Sequence, residues 1–256
     1  MKTTLPSWRA TKTPPWATFS TVVSNSRPSQ DSVLLTRQVC QTRRVTKLVL
    51  ASTSPARLIL LRSGGIEPVT IAPGVDEDKV AQRANEMGLI SSVEDLVQIL
   101  AKAKAEAVAA MPESSGALVL GCDSALEFAG EALGKPHEPQ LAIDRWKRMR
   151  GQTGTLHSGH WLIDNREQRS GELPPATGVV TSSKVHFADL DDAEIEAYVA
   201  TGEPLKVAGA FTIDGRGGAF IRSIEGDSHT VIGLSLHALR SMSRQLGVEY
   251  TSLWNL

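Results

Sequence analysis

Apolar residues along the chain fall into short runs with the two spacings expected of strands and helices. Leu48, Val49 and Leu50 are continuous and predict a short buried strand. Ser52, Thr53 and Ser54 follow as a hydroxyl-rich turn, and Pro55 stands where a first helical residue would, its φ already helical and its missing N–H without consequence. Leu58, Ile59, Leu60 and Leu61 give the next helix its apolar side. Residues 69–72 predict a second strand, and Asp76 to Asp78 open a polar helix that runs to about Met87. Ser92 with Asp95, then Leu96, Ile99, Leu100, Ala103 and Ala107, predicts a long amphipathic helix reaching about Met111.

Residues 117–122 (ALVLGC) predict a buried strand, with 125–128 as its continuation or return and Gly130 and Gly134 as turn punctuation. A helix over 139–149 is expected to turn Leu141, Trp146 and Met149 inward. Residues 155–163 and 179–187 predict long strands, the second alternating Val185 and Phe187 against Lys184 and His186. A short helix over 191–199 stops at Thr201-Gly202, short strands over 211–213 and 219–224 flank a glycine-rich loop, and a final helix over 231–246 ends at Gly247. The predicted class is α/β, a mixed twisted sheet flanked by helices.

Composition narrows the function. Hydrophobic residues make up 41% and charged residues 21%, ordinary for a globular enzyme. A net charge of -1 provides no global field for nucleic acid or anionic membrane, and no apolar stretch reaches the roughly 18–20 residues of a membrane span. The expected location is cytoplasmic. Cys40 and Cys122 make neither a disulfide framework nor a metal cluster, and Cys122 reads as a small buried hydrophobe. Residues 1–46 are rich in Ser, Thr, Pro and basic residues with Asp31 the single acid, a composition that cannot offset its chain entropy. A disordered N-terminal extension, a targeting segment and a misassigned start all fit, and the folded domain is expected over 47–256.

A strand feeding a helix N-terminus leaves N–H groups aimed at one spot, and Arg57 adds a cation beside Ser52; this suits phosphate, although an ordinary Ser-capped helix would share the pattern. Asp123 follows an apolar run directly and so is expected at a strand's C-terminal end, where open α/β sheets place ligands. Turn capping is its bland alternative. Two patterns are discounted. His157 and His160 lie three apart in a strand and so face opposite ways, and Gly215 to Gly218 lacks dinucleotide-fold spacing.

The segments ASTSPAR, GVDED, AKAKAEAV, LGCDS, LGKP, YVATGEPLKVAGAFTIDG and IEGDSHTVIGLSL, in this order, resemble the Maf (septum-formation-inhibitor) family of nucleoside triphosphate pyrophosphatases over about residues 47–248. The resemblance implies a fold like that of inosine triphosphate pyrophosphatases, elongated and two-lobed with a central cleft. It also implies metal-dependent cleavage of nucleoside triphosphates between the α and β phosphates, yielding monophosphate and diphosphate, as housecleaning of the nucleotide pool. Asp123 matches the family's proton acceptor and is expected to act as base or as metal-orienting carboxylate. Glu77 matches a metal ligand, with Mg or Mn expected. Lys104, rather than Lys102, and Lys135 match phosphate-facing cations, joined by Ser52 and Arg57.

Positions that set base preference in the family carry Ala56, Ser124 and Asp214 here, in place of the Arg, Thr and Gln or the Trp, Gln and Glu of better-known branches. Small side chains at two of them predict a roomy pocket with broad base preference. The expected partners are nucleoside triphosphates, with no nucleic acid and no membrane; a homodimer is left open. The alternative of another class is a non-catalytic nucleotide-binding regulator of cell division, which would bind triphosphate without releasing diphosphate. A basic-tailed RNA-binding protein fits the near-neutral body and 5% aromatic content poorly.

Overall fold

Strand β1 (Leu48–Ala51) is buried at every residue because apolar clusters cover both its faces, and it pairs in parallel with β2 (Val69–Thr70) at Val49 and Leu50 and with β3 (Ala117–Phe128) along its length. The computed structural model describes residues 45–167 and 172–255. Nearly all of the expected extension over 1–46 lies outside them, though Thr46 is tied to the body by donating its N–H to the Ser252 carbonyl at 2.7 Å. β3 continues antiparallel to β5 (Thr153–Asn165), which pairs with β6 (Ala176–Phe187), itself paired with β7 (Ile221–Glu225). With β4 (Glu131–Leu133) on β3, this makes a mixed seven-stranded sheet of order β2-β1-β3-β5-β6-β7, flanked by helices.

Between β1 and β4, one edge of β3 carries no strand. Pairing with β1 ends at Gly121 and pairing with β4 begins at Leu126. Asp123 therefore sits inside a long strand at a gap in the sheet edge, not at the strand's C-terminal end as expected. The segment 125–128 continues the strand because β5 pairs with β3 across its length.

Helix α1 (Pro55–Ser63) starts at the proline, and α2 (Glu77–Glu86) and α3 (Val93–Ala109) start at side-chain caps. Asp76 accepts the Lys79 N–H, and Ser92 and Asp95 form a reciprocal capping box. α3 lies directly on the sheet at two glycines of neighbouring strands. A Cβ at Gly121 would overlap the Ala101 carbonyl oxygen and lie 2.7 Å from the Ala105 nitrogen, and one at Gly159 would strike the Val97 backbone. Only residues without a side chain admit a helix backbone that close.

Three predicted elements differ in the structure. In α4 (Pro139–Met149) the buried residues are Ala142, Trp146 and Met149, while Leu141 is 42% exposed. At 3.6 residues per turn, Leu141 projects well off the stripe that joins 142, 146 and 149. Residues 211–213 form no strand. Phe211 is buried edge-on against Phe187 at 5.1 Å, and a 3-10 turn at Arg216–Phe220 delays β7 to Ile221. Beyond α5 (Asp192–Ala200), the single helix expected over 231–246 is two: α6 (Ser228–Ile232) and α7 (Leu236–Gln245). Gly233, at φ 110°, stops the first, and Ser235 caps the second by accepting the Ala238 N–H.

Gly121→Ala should push α3 off the sheet and destabilise the protein by about 1–3 kcal/mol, the usual cost of overpacking a filled interior. Urea unfolding measures this, and an unchanged midpoint would refute the close seating of α3.

Candidate active site

Successive residues of β3 point to opposite faces, and that alternation assembles the site. Asp123 faces α3 with Gly121; Ser124 faces α1 and α6. At the gap in the β3 edge the two sides meet in an open cleft. Its charged lining consists of four cations, Arg57, Lys104, Lys135 and Lys206, and two carboxylates, Glu77 and Asp123.

Lys104 is the hub of the α3 side. Its Nζ lies 2.6 Å from Asp123 Oδ1 and 2.8 Å from Glu77 Oε1, with Lys104 and Asp123 side chains nearly buried and Glu77 half-exposed. Burial pushes the Asp123 carboxyl above its ordinary range, against the pull of the Lys104 and Arg57 charges. Lys102, two residues earlier, points elsewhere: it faces Glu106 at 3.8 Å and lies over the Trp161 ring.

Arg57 is buried, and four of its five N–H groups serve neutral acceptors. Its Nε donates to the Gly233 carbonyl at 2.8 Å, Nη1 to the Cys122 carbonyl at 3.0 Å and Ser52 Oγ at 3.3 Å, and Nη2 to Ser124 Oγ at 3.0 Å. Its charge has no carboxylate partner among the described residues and acts on the cleft as a fixed field. The helix break at Gly233 thus presents a carbonyl to the guanidinium. His160 supports the same break: its Nε2 accepts the Ser235 N–H at 2.9 Å, and burial pushes its pKa down to about 4, keeping the ring neutral.

Ser54 precedes α1 without a side-chain capping bond, so the ordinary capped-helix reading of this turn does not describe it. Ala56 and Ser124 line the cleft. The Ser124 hydroxyl is committed on both sides, accepting from Arg57 and lying 2.8 Å from Ser158 Oγ, which in turn donates to the Thr230 carbonyl. Asp214 is exposed and off the cleft wall, accepting a hydrogen bond from Thr212 Oγ1; Thr212 lines the cleft instead. Sequence reasoning missed Thr212, Phe211 and Lys206. Lys206 stood inside the quoted motif YVATGEPLKVAGAFTIDG, and a lysine between Pro204 and Gly209 was the available signal.

His157 and His160 face opposite sides of β5, as their spacing requires. His157 groups with Glu94 and Glu127, three residues whose donor atoms lie within 4.8 Å of one another and could hold a metal ion. The carboxylates address different ring nitrogens, Glu127 at Nε2 (2.9 Å) and Glu94 at Nδ1 (3.3 Å), with Ser182 Oγ also 2.8 Å from Nδ1. None of the three lines the cleft.

Fold and cleft define an α/β protein with a cationic groove cut into the edge of its central strand. The model of the Maf-like protein family matches residues 47–246, and the chain belongs to that family. It is similar to a nucleoside triphosphate pyrophosphatase of Leifsonia xyli subsp. xyli, 55% identical over 212 residues that cover 82% of this chain and 97% of that protein. A nucleoside triphosphate pyrophosphatase of Streptomyces avermitilis is 49% identical over 208 residues, covering 81% and 94%. Among solved structures, the Staphylococcus aureus Ham1 protein aligns over 78% of this chain and 93% of its own at 12% identity and a TM-score of 0.33, a likeness too slight to bear on the site. No helix among the described residues is long and apolar enough to cross a membrane.

Cys122 is fully buried in β3, and burial pushes its thiol up to about 11. In a Cys40→Ser background it should resist a thiol reagent at pH 8 in the native protein and react once unfolded. Rapid native labelling would contradict the packing described here.

Proposed function

We propose that the protein hydrolyses nucleoside triphosphates between the α and β phosphates, releasing nucleoside monophosphate and diphosphate, in the cytoplasmic nucleotide pool. The observation that carries this reading is the convergence of two carboxylates on one ammonium in a cleft that holds three further cations. A site that only bound polyphosphate would gain little from carboxylates beside it.

Glu77 and Asp123 also fit a divalent cation. Both are hard oxygen donors, and both approach the single position that the Lys104 ammonium occupies. Mg or Mn held there with substrate phosphates would supply charge neutralisation and polarisation of a phosphoryl oxygen. Asp123, raised by burial, suits the general base: it takes a proton from water as the water oxygen bonds to the α phosphorus. The bond from α phosphorus to the bridging oxygen breaks, and the electron pair leaves on the diphosphate. Lys104 is placed to turn from the carboxylates to phosphate oxygens. Lys135 and the fixed charge of Arg57 stabilise the negative charge gathering on the leaving group.

Ala56 projects little into the cleft, and the Ser124 hydroxyl is already engaged, so few donors remain to read a base. Broad base preference follows, with kcat/KM across natural bases spread by no more than the roughly 10–200-fold that a loosely contacting pocket supplies.

Assay of the purified protein against a panel of triphosphates, with diphosphate detection, tests the reading. Asp123→Asn should lower kcat at least about a hundredfold while triphosphate binding persists. Near-wild-type turnover in that variant would remove Asp123 from the chemistry. Wild-type protein that binds triphosphate but releases no diphosphate would point to the regulatory alternative. Because burial raises Asp123, the base is lost as pH falls through a value above the ordinary aspartate range of about 4, so the acid limb of kcat/KM should lie above that range. A limb at or below it would contradict the assigned base.

A further inference from the structure

Lys206 has no role in the mechanism above, yet it is built into the same wall as Lys135. The loop after β4 and the 3-10 turns at Glu203–Lys206 and Ala208–Ala210 are stitched side by side by their backbones. The His137 N–H donates to the Leu205 carbonyl at 3.0 Å, and the Gly209 N–H donates to the Gly134 carbonyl at 3.2 Å. Lys135 lies between the first loop's two bonded residues, and Lys206 between the second's. Gly209 sits at φ 70° where a Cβ would press on Leu126, so the second loop is fixed against the core. Both lysines line the cleft, and neither has an ion-pair or hydrogen-bond partner among the described residues.

The cleft's other two cations differ in this respect. Lys104 is neutralised by Glu77 and Asp123, and four of the five N–H groups of Arg57 already serve protein acceptors. Two uncommitted ammonium groups on adjoining loops repel each other until an anion lies between them. Lys135 and Lys206 are therefore the cleft cations that keep every donor of the charged group free for a ligand.

We infer that Lys206 is a phosphate-binding residue which, paired with Lys135, grips the terminal phosphates of the substrate, the part that departs as diphosphate. The inference rests on the pyrophosphatase reading and assigns the far wall of the cleft to the leaving group. A lysine meets phosphate as a compact point charge with rotatable donors, so an arginine should replace it in part and an uncharged chain of similar length should not.

The test compares wild type, Lys206→Met and Lys206→Arg by steady-state kinetics and by inhibition with inorganic diphosphate and with nucleoside monophosphate. Loss of one charged contact to phosphate should raise both the KM for triphosphate and the inhibition constant for diphosphate about tenfold or more in Lys206→Met. Lys206→Arg should recover much of that loss, while monophosphate inhibition stays within about twofold, because the monophosphate lacks the groups Lys206 holds. Thermal melting of the variants separates a folding defect from lost binding. If Lys206→Met leaves diphosphate inhibition and triphosphate KM within about twofold of wild type, the assignment is wrong. Should wild type release no diphosphate from any triphosphate, the pyrophosphatase reading fails instead; calorimetric binding of diphosphate to wild type and Lys206→Met then decides on Lys206 alone, equal affinities or no binding refuting it.

Discussion

One ammonium group held between two carboxylates organises this molecule's chemistry. Lys104 reaches Asp123 and Glu77 because α3 can rest its backbone on the sheet, and it can do so because Gly121 and Gly159 present no side chains there. The buried Asp123 is costly to ionise alone, and the Lys104 charge offsets part of that cost. Packing and burial are thus one constraint: a helix seated further from the sheet would take Lys104 away from Asp123.

A second constraint comes from the other face of β3. Arg57 ties α1 to the Cys122 carbonyl, to Ser124 and to the carbonyl at the Gly233 break, closing the floor of the cleft where β1 stops and β4 has not begun. A missing strand partner exposes main-chain groups and invites pairing by another chain; here part of that edge is occupied by a buried guanidinium and opens on the cleft. The site is a gap in the sheet made useful.

Much of this was legible in the residues. The strand, hydroxyl turn and Pro55 of α1 are local, as are the capping box of α3 and the glycine that ends α7, so short-range patterns suffice for them. Lys104, Asp123 and Lys135 stood out because each lies in a compact motif. The remainder depends on contacts distant in sequence. β3 runs on past Asp123 despite the polar residues Ser124 and Glu127 because β5 pairs with it at every step. The last helix breaks at Gly233 and restarts at the Ser235 cap, local signals set inside an apolar pattern, and Arg57 and His160 hold the backbone there. Lys206 meets Lys135 only through bonds between two loops, and Asp214 yields the wall to Thr212 through the path of an irregular loop.

The central claim is that Asp123 and its neighbouring cations direct water to the α phosphorus. Hydrolysis in ¹⁸O-labelled water with mass analysis of both products examines this directly. The label should appear in the nucleoside monophosphate and be absent from the diphosphate; label in the diphosphate would place the attack at the β phosphorus and contradict the account.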